Sequence, residues 1–117
     1  MVDISSLQYE ITTELAAQLE HEASYNSVAL NAKVKVAILD VLGRREYENS
    51  HYTDKEILSE LGTRYYSTIT RLALYDYNQI GAEGQTQHSE NSINRSWVER
   101  DKILSDVHPF VKVLKRR

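Results

Sequence analysis

Apolar residues recur along this chain in steps of three and four, the spacing that lines up one face of a helix. The first such stripe runs through Ile4, Leu7, Ile11, Leu15 and Leu19, which predicts a helix within the first nineteen residues. Ser5 followed by Gln8 offers it a capping box. The polar run HEASYNS at 21–27 breaks the pattern, and Asn26 or Ser27 is the next N-cap candidate. A second stripe then passes through Leu30, Val34, Ala37, Ile38, Val41 and Leu42. Val36 and Leu39 widen its apolar face, so this helix is expected at the centre of the fold. Gly43 with Arg44 and Arg45 suits a C-terminus, where positive charge meets the negative end of the helix dipole.

Residues 44–52 read as a polar loop. Thr53 with Glu56 three positions on is a full capping-box signature. The helix it opens is predicted to be the longest and to run to Gly81, burying Ile57, Leu58, Leu61, Tyr65, Ile69 and Leu72. Glu60, Arg64, Ser67, Arg71 and Asn78 fall on its opposite side, with Glu60 and Arg64 spaced for an i,i+4 pair. Gly62 costs a helix interior about 1 kcal/mol against alanine, which points to close helix packing there. Beyond the GAEG run at 81–84 the helical period is lost. Thr86, His88, Ile93, Arg95 and Trp97 alternate, as in an extended arm or a β-hairpin turning near Glu90 and Asn91. Ile103, Leu104 and Val107 support one or two further helical turns, stopped by His108 and Pro109. Phe110, Val111, Val113 and Leu114 then form a short apolar segment. The expected fold is one all-α domain over 1–117. It is a small bundle of three main helices plus a short C-terminal helix, with an arm at about 82–98 and an extended tail at about 108–117.

Length and charge refine this picture. A chain of 117 residues is one domain, able to bury roughly two-thirds of its unfolded surface. Its formal net charge of −3 gives no global attraction to nucleic acid or an anionic membrane. The distribution says more. Asp3, Glu10, Glu14, Glu20 and Glu22 precede any basic residue, whereas Lys112, Lys115, Arg116 and Arg117 close the chain. Such polarity suits a head-to-tail contact between copies, or a basic tail in an acidic groove; a solvated terminus accounts for it equally. No apolar run approaches the roughly 18 residues that span a bilayer, and no basic region followed by an apolar core suggests a secretory leader.

Enzyme chemistry finds little support. Without cysteine there are no thiolate metal sites. His21, His51, His88 and His108 never pair at ligand spacing. Glu10 with Glu14, and Glu56 with Glu60, share helix faces as solvated surfaces commonly do. No P-loop, nucleophile elbow or dinucleotide fingerprint occurs. Neither catalysis, nor a cofactor, nor a metal is expected. The GAEG run matches the GxxG clamp of a nucleic-acid-binding KH domain in spacing, but Glu83 would repel phosphate; a chain reversal is the better reading. Tyr65, Tyr66, Tyr75 and Tyr77 share the long helix. Tyr66 and Tyr77, with Thr70 and Ala73, form a boundary face that either meets another protein or edges the monomer's own core. Trp97 either pins the arm to its own body or docks into a neighbouring subunit.

The helix end LALYDYNQIGAEG, the polar stretch HSENSINRSW and the terminal ILSDVHPFVKVL together resemble the small head–tail connector, or adaptor, proteins of tailed bacteriophages. VKVAILDVL precedes them in the expected order, and the likeness covers most of the chain from about Ala29. The GAEG…HSE…RSW run is its most specific part. The resemblance implies a virion structural protein at the neck, assembled in the host cytoplasm. Its helical protomers would form a ring, commonly twelve-fold, beneath the portal protein. That ring extends the DNA channel and receives a head-closure, stopper or tail-completion protein below. It further implies portal-facing roles for Phe110, Lys112, Leu114, Lys115, Arg116 and Arg117. Glu83, His88, Glu90, Ile93, Arg95 and Trp97 would form an arm reaching neighbouring subunits. The contrasting reading is a small helical DNA-binding regulator with the helix from Thr53 as its recognition helix. Asp54, Glu56 and Glu60 speak against it, since recognition helices bring donors to bases and phosphates.

Overall fold

Each predicted stripe becomes a buried helix face in the computed structural model, which describes residues 2–82 and 98–111. Helix α1 spans Ser5–Leu19, α2 Ser27–Arg45, α3 Asp54–Thr63 and α4 Tyr66–Ala82, with a 3-10 turn at Tyr47–Asn49 between α2 and α3. A short helix, α5, covers 98–104. The architecture is all-α, with no strand among the described residues. Helix α2 is central and packs against both α1 and α4. The core gathers Leu7, Ile11, Leu15 and Leu19 from α1, Leu30, Val34, Ile38 and Val41 from α2, and Leu61, Tyr65, Ile69 and Leu72 from the α3–α4 segment. Leu104 and Val107 close it from the C-terminal side.

The helix starts follow local chemistry. The Asn26 side chain accepts from the Ala29 N–H at 3.0 Å. Thr53 and Glu56 form the reciprocal capping box, at 3.2 Å and 2.9 Å. The box expected between Ser5 and Gln8 does not form. Asp3 instead accepts from the Ser5 N–H and hydroxyl at 3.0 Å and 2.7 Å, a carboxylate being the stronger acceptor. These bonds from Ser5 hold the Asp3 pKa below its ordinary value. Gln8 meanwhile crosses to the Asn31 side chain of α2, 3.0 Å away.

Four further expectations are corrected. The predicted longest helix is two helices, because the chain steps at Arg64 and Tyr65, where the Tyr65 N–H donates to the Glu60 carbonyl at 3.2 Å. The apolar stripe passes unbroken through the step, so its period carried no sign of it. Second, α2 does not end at Gly43. It continues to Arg45, and Glu46 takes the left-handed conformation at φ 53°. Third, Val36 and Leu39 do not widen the buried face but stand exposed. Fourth, Gly62 marks no close approach: an added Cβ would meet only Leu7 Cδ1, at 3.9 Å. The loop expected at 44–52 also buries Tyr47.

Candidate interaction surfaces

The densest polar cluster forms where α2 ends. Arg45 is 8% exposed, and its guanidinium grips Glu60 of α3 through Nε at 3.0 Å and a second nitrogen at 3.3 Å. A third nitrogen donates to the His108 carbonyl at 2.7 Å. The Tyr47 hydroxyl donates to Glu60 at 2.5 Å and the Tyr52 hydroxyl at 3.3 Å. Burial alone would raise the Glu60 pKa, but hydrogen bonds from Arg45 and Tyr47 outweigh it and hold the carboxyl below its ordinary value. Burial, then the Glu60 carboxylate, push the Tyr47 phenol upward. Glu60 was expected to pair with Arg64 on the solvent side. Arg64 instead lies over the Tyr65 ring at 5.4 Å.

This cluster clasps the chain after α5. The Phe110 N–H donates to the Arg45 carbonyl at 2.8 Å, and the Asn49 amide donates to the Phe110 carbonyl at 3.3 Å. Arg44 reaches the Val107 carbonyl at 2.9 Å. The Phe110 ring sits 3.8 Å from the Arg45 guanidinium and meets Tyr52 edge-on, with centroids 5.1 Å apart. Residues 107–110 therefore leave α5 along a fixed track on the end of α2. A second tie holds α5 itself. Arg100 donates to both carboxylate oxygens of Asp76 on α4, with Nε at 3.0 Å and 3.2 Å, and also to Asp40 on α2. Hydrogen bonding to Asp76 is the largest reason its pKa stands above the ordinary arginine value.

Of the residues proposed to face a portal, the structure places Phe110, half-buried against Arg45, Tyr47 and Tyr52. Lys112, Leu114, Lys115, Arg116 and Arg117 lie outside the described residues. So do all the arm candidates, Glu83, His88, Glu90, Ile93, Arg95 and Trp97, and with them the choice between an extended arm and a hairpin. The tyrosine face of α4 edges the monomer's own core. Tyr77 is 9% exposed, and its hydroxyl accepts from the Asn26 N–H at 3.0 Å. Tyr66 donates to Glu14 of α1, and burial followed by that carboxylate pushes its phenol up to about 12. Sequence reasoning missed the clasp. Its available signals were Arg45, taken for a dipole partner, and Tyr47 and Tyr52 flanking a stretch read as loop.

Two surfaces remain open. Along α1, a groove of about 560 Å³ is floored by Thr12, Thr13, Ala16 and Ala17 and bounded by Tyr9 and by Asn31 of α2. On the outer side of α2, Val28, Val36 and Leu39 are 78%, 44% and 40% exposed. Among the described residues no group of three or more histidines or carboxylates is placed to hold a metal ion, and no helix is long and apolar enough to cross a membrane. No protein-family model, no curated protein and no solved structure matches this chain.

Proposed function

We propose that this chain is the head–tail connector of a tailed bacteriophage. It would be a non-catalytic subunit that forms a ring under the portal, extends the DNA channel and offers a docking surface to the next neck protein. The support is the sequence likeness together with one structural observation: the chain is clasped to the body at Phe110, immediately before the basic segment 112–117. A peptide of this kind benefits from a fixed point of departure, because less ordering entropy is lost when it docks. Its apolar and basic residues are suited to an acidic groove on a partner, whereas the body carries net negative charge and holds DNA phosphates weakly.

The test is deletion of residues 112–117. The truncated protein is expected to keep its helical circular-dichroism spectrum and to lose co-sedimentation with portal assemblies. Unchanged co-sedimentation removes the portal role of the segment. A monomer or dimer that shifts a duplex DNA probe would favour the regulator reading instead, although the acidic first turn of α3, with Asp54 and Glu56, is poorly placed for it.

A further inference from the structure

Helix α2 is apolar on two opposite sides. Leu30, Val34, Ala37, Ile38 and Val41 are buried in the core. Val28, Ala32, Val36, Leu39 and Gly43, each three or four positions from the next, form a second stripe on the exposed side. A surface helix normally turns a polar face to water, and one that is apolar on both sides is commonly buried on both. Nothing within the described monomer covers this second stripe. Its flanking cations, Lys33 and Lys35, make no ion pair among the described residues, and neither do Glu10, Glu14 or Glu20 along the α1 groove.

The molecule thus carries an apolar ridge edged by lysines and, elsewhere, a groove edged by glutamates. The groove floor of threonines and alanines leaves room for side chains from another helix. Rows of side chains spaced by four fit into such grooves. We infer that the outer ridge of α2 in one copy packs into the α1 groove of the next, Lys33 and Lys35 facing Glu10, Glu14 and Glu20. Ridge and groove are different patches, so the contact is head-to-tail and propagates until it closes as a ring. The inference rests on the ring-forming part of the function proposed above and names the surfaces that would make it. One helix-on-helix contact buries less than the roughly 800 Å² per partner of a stable standard interface. Association is therefore expected at high concentration or on ring closure rather than in dilute solution.

Engineered cysteines test the contact directly, because the chain has none of its own. Ala17→Cys lies in the groove and Val36→Cys on the ridge, both at exposed positions. Within one molecule these sites cannot bridge. Asn31 faces Gln8 and Thr12, so α1 and α2 run antiparallel and the two positions are about 15 Å apart along the helices, beyond disulfide reach. Oxidising the full-length double variant at rising concentration is expected to give a ladder extending past the dimer. Mixed single variants should stop at a dimer, and each single variant alone should stay monomeric. A Val36→Cys homodimer would replace this contact with a symmetric α2–α2 pairing. A double-variant ladder that stops at the dimer would replace the ring with a closed pair, and absence of any cross-link would refute the contact altogether. Each of these outcomes leaves portal co-sedimentation unaffected as a separate test of the functional reading.

Discussion

The Tyr65 hydroxyl is buried without a hydrogen-bond partner, although its ring completes the core between Leu61 and Ile69. An orphaned hydroxyl has lost its hydration with nothing in return, so Tyr65→Phe is expected to stabilise the protein by about 1 kcal/mol, read as a raised thermal midpoint. A lowered midpoint would mean that the hydroxyl has a partner. Gly62→Ala is expected to add about 1 kcal/mol as well, since the new methyl meets only ordinary contact with Leu7; chemical denaturation at unchanged slope would show it. Short-range chemistry was readable at this scale. Asn26 and the Thr53–Glu56 box act within three residues of themselves and formed as their spacing predicts. The fate of Glu60 was not readable. Arg64 lay at helical spacing, while its actual partner, Arg45, approaches only once α2 and α3 are packed.

At the scale of elements, Glu60 joins α3 to the end of α2, and through Arg45 to residues 108–110. Glu60→Ala leaves a nearly buried guanidinium without its carboxylate, a kind of loss that costs about 3 kcal/mol. The same pair sets a pH dependence. The folded pKa of Glu60 is depressed, so its contribution is complete above the ordinary glutamate value and is lost as pH falls through the folded one. Wild-type melting temperature should therefore drop below about pH 4.3, and the drop should be smaller in Glu60→Ala. Identical acid profiles for the two proteins would show that the ion pair is not linked to folding. The existence of each helix was legible because burial follows the stripes. The α3–α4 step was not, because Leu61, Tyr65 and Ile69 keep helical spacing across it. Nor did periodicity distinguish the two apolar faces of α2, since spacing records that Val36 and Leu39 are apolar and not which surface covers them.

For the whole molecule, the sequence implied an all-α body with helices arranged about a central one, and the structure has that form. The portal and arm residues rest on family likeness, which lies in segments outside the described core apart from Phe110. The ridge and groove instead belong to the described body. Assembly and portal docking are thus assigned to separate parts of one chain, and variants in one should leave the other intact. The clasp at Phe110 also has a mechanical consequence. Tension applied beyond Val111 reaches the Phe110 backbone first, and there it meets hydrogen bonds to Arg45 and Asn49. The load passes into α2, the helix with the most neighbours, before it can peel α5 from the body, so a partner pulling on this end pulls on the whole molecule.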